Sequence, residues 1–199
     1  LHLRIALQAV AQFAGMRTRF SEMFRRALFP MDSVRYFEFD FVWSNIKHDR
    51  VQEAYLDVSS PRLLPIILVS HFRHLRATLV NPDHADLEQT RSMIERYRLD
   101  DRCVLLGTLI ENFEPGSSRF DLVSSISAIE HISGDGDIVA VKKMWDALKT
   151  GGSLFLSVPC AAECYEEYLN YNEYGLLPSD SAGFVFGQRF YDENQLERR

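Results

Sequence analysis

The chain has 199 residues, of which 46% are hydrophobic, 25% charged and 12% aromatic, with 10 Gly and 7 Pro. This is the balance of a globular domain whose core needs no disulfide or metal staple, and it excludes disordered, collagen-like and low-complexity chains. The formal charge of −6 argues against a general nucleic-acid binder, whose phosphate contacts need a basic face.

Charge is unevenly spread. Residues 1–50 carry 8 Lys/Arg against 5 Asp/Glu, and residues 51–199 carry 14 against 23. The front of the chain is therefore a different kind of surface from the rest. The cysteines Cys103, Cys160 and Cys164 are odd in number and sparse, which speaks against a disulfide scaffold and for a reducing, cytoplasmic setting. No histidine stands near Cys160 and Cys164 to complete a metal site, and none is expected. No apolar run reaches the ~18 residues that span a bilayer. Leu3–Met16 is mildly apolar but lacks a small-residue cleavage site and is followed by arginines, unlike a signal peptide.

In chain order, residues 1–29 read as a helix, with Ile5, Ala9, Phe13, Phe20, Phe24 and Leu28 at steps of four or seven. Pro30 ends it. Ser33–Trp43 alternates aromatics and charges and is too aromatic for a free linker. From Ala54 the pattern becomes strand, helix, strand, helix. Ala54–Val58 is a strand, and Ser60 then reads as the cap of a helix over Arg62–Phe72, with Pro61 at its first position. Ala77–Val80 is the second strand, His84–Tyr97 an amphipathic helix, Cys103–Leu106 the third strand and Phe120–Ser124 the fourth. Asp137–Lys149 is a helix closed by Gly151 and Gly152, and Ser153–Val158 is the fifth strand. This alternation predicts an α/β fold: a doubly wound, mostly parallel Rossmann-like sheet with helices on both faces.

Ligands of such sheets sit outside the carboxyl ends of the strands. At the first end, Asp57 precedes Ser59, Ser60 and a helix N-terminus, whose unpaired amides suit a carboxylate or phosphate. At the second, Asn81 and Asp83 suit a ribose diol, although Asn-Pro-Asp is also an ordinary turn. Thr108 and Glu111 follow the third strand. After the fourth come Ser125, Ile126, Ser127 and Ala128, then Glu130 and His131. His131 is either a general base or a histidine packed beside the sheet.

Phe120-Asp121-Leu122-Val123-Ser124, then Ala128-Ile129-Glu130-His131-Ile132, then Leu148-Lys149-Thr150-Gly151-Gly152 running into Ser153–Pro159, resembles the class I S-adenosylmethionine (SAM)-dependent methyltransferases over about residues 52–199. The resemblance implies SAM as cofactor, with methionine near Asp57, Ser59 and Ser60, ribose near Asn81 or Asp83, adenine near Thr108, and Ser125 lining the same crevice. It implies His131 as candidate catalytic base. The front half departs from the family pattern: Asp57-Val58-Ser59-Ser60-Pro61 has no glycine, Ser59 standing where the first glycine is usual and Pro61 where the second is. Asn81 and Thr108 stand where acidic residues are common.

Two domains are expected, a helical and aromatic appendage over 1–51 and a methyltransferase-like domain over 52–199. The appendage, with Arg17, Arg19, Arg25 and Arg26, reads as a lid or packing element, with peripheral membrane contact through residues 1–29 or a dimer contact as less favoured readings. The Tyr- and Glu-rich stretch Ala161–Arg199 is either part of the acceptor pocket or a partly exposed amphipathic helix. Gln188–Leu196 resembles the element before the family's last antiparallel strand pair, so those final strands are expected to be missing. The function expected is methyl transfer to a small-molecule or glycan- or lipid-linked acceptor. The alternative is a non-catalytic relative that binds or scaffolds.

Overall fold

The computed structural model describes residues 33–47 and 53–198, apart from 116, 118, 173, 174 and 176–178. The expected helix over residues 1–29 lies outside them.

Five strands form one parallel sheet: β1 (Ala54–Val58), β2 (Arg76–Val80), β3 (Cys103–Leu106), β4 (Phe120–Ile126) and β5 (Leu148–Ser157). Their order is β3-β2-β1-β4-β5, and every pair in it is parallel. The chain steps outward from β1 to β3, then returns to place β4 on the other side of β1. That reversal opens a crevice above the carboxyl ends of β1 and β4.

One face is covered by α1 (Ser33–Asn45), α2 (Leu63–His71) and α3 (His84–Tyr97). The six residues Leu64–Val69 of α2 are all buried, in a core they share with the sheet and with Phe39 and Val42 of α1. Pro65 is harmless in α2, since it sits in the first turn, where no intrahelical donor is needed. In α3 the buried positions Leu87, Thr90, Met93 and Ile94 form the stripe of an amphipathic helix. The other face is covered by α4 (Gly136–Ala147), which buries Ala140, Met144 and Ala147 against Leu56, Val58, Val80 and Val123.

One stretch without an element assigned from sequence takes shape, and two sequence expectations change. Ser33–Asn45 is a helix, a period hidden by aromatics on both its faces: Phe39 and Val42 are buried while Phe37 and Phe41 are exposed. Ser60 does not cap α2; Arg62 occupies the cap position without a side-chain bond. Gly151 and Gly152 do not close α4 but lie inside β5, which starts at Leu148. The sheet register shifts beside them, between Phe120 and Leu122.

The C-terminal stretch is also corrected. In place of an amphipathic helix it holds β6 (Tyr165–Leu169) and β7 (Val185–Phe190), an antiparallel pair separate from the main sheet, then α5 (Glu193–Arg198). Gln188–Phe190, expected to precede a strand pair, is itself part of one. Arg189 pins the pair to α4: its guanidinium donates to Asp137 Oδ2 and Glu166 Oε1, both at 2.7 Å, and to the Gly134 carbonyl at 2.9 Å. The Tyr191 hydroxyl donates to the same Asp137 oxygen at 2.8 Å.

Candidate active site

The carboxyl ends of β1, β2, β3 and β4 meet beneath a cavity of about 330 Å³, walled on its far side by the β6–β7 pair. Of the eight sequence-derived site residues, Ser59, Ser60, Asn81, Asp83, Ser125 and His131 line it, while Asp57 and Thr108 do not.

Asp57 lies below the floor. Its Oδ1 accepts from the Tyr55 hydroxyl at 2.8 Å and the Ser124 hydroxyl at 2.7 Å, and its Oδ2 accepts from the Ser60 amide at 3.2 Å. Burial raises its pKa, and the hydroxyl and amide donors work against that rise. Ser60 Oγ is 3.3 Å from Ser124 Oγ and accepts from the Ile126 amide at 3.1 Å. The serine is thus a cross-strand tie from β1 to β4, not a helix cap. Ser59 has φ 54°, the left-handed region usually left to glycine, and its amide donates to the Val80 carbonyl at 2.9 Å. The turn of a glycine loop is made here by a serine, at a cost of about 1–2 kcal/mol.

At the second strand end, Asp83 caps α3, accepting from the amides of Ala85 at 2.9 Å and Asp86 at 3.1 Å. Asn81 accepts from the Asp83 amide at 2.9 Å and donates to Asp86 Oδ2 at 3.0 Å. Arg62 Nε donates to the other Asp86 oxygen at 3.0 Å. After β3, Thr108 is half-buried and turned to the Leu109 carbonyl, 3.4 Å away. Glu111 takes the lining position instead, and its Oε2 is buried with no hydrogen-bond partner.

The fourth strand end is tied to α1. Ser125 Oγ donates to the Val58 carbonyl at 2.9 Å. Glu38 Oε1 accepts from the hydroxyls of Ser127 and Ser157, each at 2.6 Å, and its Oε2 accepts from Arg35 at 2.7 Å. Arg35 reaches the cavity wall. Glu130, 2% exposed, has one carboxylate oxygen without a partner; burial pushes its pKa to about 7. His131 lines the cavity with Nδ1 2.7 Å from the carbonyl oxygen of Gly187 on β7. The cavity is therefore polarised, with Arg35 near the β4–β5 end and Asp83, Asp86 and Glu111 near the β2–β3 end.

No protein-family model and no curated protein matches the sequence. Solved structures do match. Coclaurine N-methyltransferase bound to N-methylheliamine and S-adenosylhomocysteine (SAH) superposes with TM-score 0.57 and 18% identity, over 68% of this chain and 39% of that one. The fold is that of the SAM-dependent methyltransferases. An O-methyltransferase family protein from Burkholderia thailandensis gives TM-score 0.53 and 18% identity, over 76% and 44%. The [4+2]-cyclase SpnF gives TM-score 0.56 and 16% identity, over 80% and 54%. The chain thus spans 39 to 54% of the length of these structures, and at such identities the likeness is one of fold.

Arg35 and Asp86 line this crevice and Glu38 supports Arg35, and the sequence patterns point to none of the three. Arg35 and Glu38 lie in an aromatic stretch 19 and 16 residues before β1; Arg35 lines the crevice and Glu38 anchors it to Ser127 and Ser157 because α1 packs across β4 and β5. Asp86 has a local signal, an acidic residue in the first turn of a capped helix, but nothing local marks Arg62 as its partner. All three described cysteines are free. Among the described residues no His/Cys/Asp/Glu cluster could hold a metal, and no helix is long and apolar enough to cross a membrane.

Proposed function

We propose that this chain is a SAM-dependent methyltransferase acting on a small-molecule acceptor, free or as the head of a glycan- or lipid-linked compound. The observation that carries the reading is the polarised cavity over the switch point, between the Ser59 turn and the β6–β7 wall. Two features fit the cofactor. Ser59 keeps the left-handed turn that brings backbone to the cavity edge. The partnerless Glu111 oxygen requires a donor, which an amine or hydroxyl of a nucleoside provides. In this reading Arg35 holds the cofactor carboxylate, the Ser59–Pro61 backbone flanks the methionine chain, Asn81 and Asp83 face the ribose, and Glu111 takes the place of Thr108 beside the base.

When bound, SAM supplies an electrophilic methyl group on a sulfonium, and transfer is an in-line displacement. The chain's task is then chiefly to position the acceptor and exclude water. Leu169, Val185 and Phe186 provide the apolar wall, and the ring of Tyr171 offers stacking and a hydroxyl to an acceptor. His131 removes the acceptor proton. The negative side chains suit a cofactor that is cationic at sulfur. A cytoplasmic setting belongs to the same reading, motivated by the free cysteines.

A second reading, a domain that binds without transferring methyl groups, is favoured by the glycine-free loop, and the fold is also that of a cyclase. Calorimetric titration with SAM and SAH separates the two. Micromolar binding of both, weakened about tenfold in Arg35→Gln, is expected. Absence of binding at millimolar ligand refutes the methyltransferase reading.

A further inference from the structure

Strand β7 does more than wall the cavity. The pairing of β6 with β7 runs from Glu167 opposite Gln188 directly to Tyr168 opposite Phe186, leaving Gly187 as the extra residue of a bulge. Bulges re-aim the backbone at the point where they occur. Here the re-aimed group is the Gly187 carbonyl, 2.7 Å from His131 Nδ1. The position has no room for a side chain: a Cβ would stand 2.9 Å from Leu169 Cγ, 3.1 Å from its Cδ1 and 3.2 Å from the Glu167 carbonyl oxygen. A carbonyl oxygen accepts and never donates, so the proton of this contact belongs to Nδ1.

We propose that Gly187 is a positioning residue that fixes neutral His131 as its Nδ1–H tautomer and leaves the lone pair on Nε2. The inference rests on the methyltransferase reading only for the use of that nitrogen. As the acceptor's O–H or N–H bond breaks, its electron pair stays on the oxygen or nitrogen and its proton goes to Nε2. The imidazolium that results still donates from Nδ1 to the same carbonyl. One contact therefore serves both protonation states, and the ring need not turn during the proton transfer.

The tautomer is readable without cofactor or acceptor. Long-range 1H–15N spectra of the full, 15N-labelled chain at about pH 8, above the ordinary histidine range, distinguish the two neutral forms. His131→Gln assigns the signal by its disappearance. The expected result is an Nδ1–H signature for His131 in the wild type, lost in Gly187→Ala and restored in Gly187→Ala/Leu169→Ala, where the colliding side chain is shortened. If the single variant fails to fold, the wild type and the double variant decide the matter. An Nε2–H signature in the wild type overturns the inference. So does an unchanged Nδ1–H signature in a folded Gly187→Ala, or its absence in a folded double variant. Failure of SAM binding would instead remove the methyltransferase reading and leave the tautomer result standing.

Discussion

Replacing Glu130 with Gln removes a carboxyl group that the fold ionises only at a cost. The side chain is 2% exposed and one of its oxygens lacks a partner. Burial raises its pKa from 4.5 to about 7; its own backbone amide and Arg35 oppose the rise, and Glu38 adds to it. Between these values the unfolded chain is ionised while the native chain keeps its proton, so the native state binds more protons and stability falls as pH rises. Below the lower value both states are protonated, and above the upper both are ionised, so the loss is confined to that window. At about 1.4 kcal/mol per pH unit, this group costs the native state about 3 kcal/mol once the window has been crossed. Gln keeps the shape without ionising. Urea unfolding of both proteins at about pH 4.5 and about pH 8 should show the Gln variant gaining about 3 kcal/mol on the wild type between the two conditions. A stability difference that stays constant to within about 0.5 kcal/mol across the range would show that the carboxylate is hydrated or paired in solution, and would refute the reasoning.

Three further outcomes are expected. Ser59→Gly relieves the left-handed strain, partly offset by the greater freedom of unfolded glycine, for a net gain of about 0.5–1 kcal/mol, whereas Ser59→Val loses at least about 1 kcal/mol; thermal unfolding that fails to rank the two in this order contradicts the turn described here. Asp57→Ala strands the donors of Tyr55, Ser124 and Ser60 inside the protein and should cost about 2–4 kcal/mol in chemical denaturation with no ligand present; an effect seen only as weaker SAH binding would mean that Asp57 acts on the ligand directly. Glu111→Gln should weaken SAH about tenfold by calorimetry while changing stability by less than about 1 kcal/mol, and unchanged affinity would detach Glu111 from the nucleoside.

What could be read from the sequence was whatever local periodicity records. The third strand was placed residue for residue at Cys103–Leu106, because a short apolar run between polar turns admits little else. The carboxyl ends of the strands followed from strand order, and with them most of the residues now found on one cavity. The failures have a common cause. Ser60 has the composition and spacing of a cap, yet its hydroxyl is claimed by Ser124 and Ile126, more than 60 residues away. Tyr165–Leu169 carries Glu166 and Glu167 in its middle and is mostly exposed, so β6 has no apolar alternation to detect. The position of Thr108 after β3 points to it, but the short 3-10 turn at Ile110–Asn112 carries Glu111 to the cavity and leaves Thr108 outside.

The loop without glycines departs from the family pattern at its most characteristic point, and its energetics follow from the contacts it makes. Glycine in such a loop supplies conformational freedom at one strained position. Here Ser59 accepts the strain, about 1–2 kcal/mol, and the loop is held by the Ser60 hydroxyl to β4, a bond no glycine could make, together with the bonds of Asp57 to Tyr55, Ser124 and the Ser60 amide. At about 1 kcal/mol each in a buried setting, these bonds are enough to offset the turn. The exchange has a consequence for chemistry. Asp57 is used up below the floor, so the negative charge offered to a ligand must come from residues farther along the strand ends. Asp83, Asp86 and Glu111 are the carboxylates that line the cavity. All three stand toward the β2–β3 side, opposite Arg35, so the crevice can still orient a molecule that carries a carboxylate at one end and hydrogen-bond donors at the other.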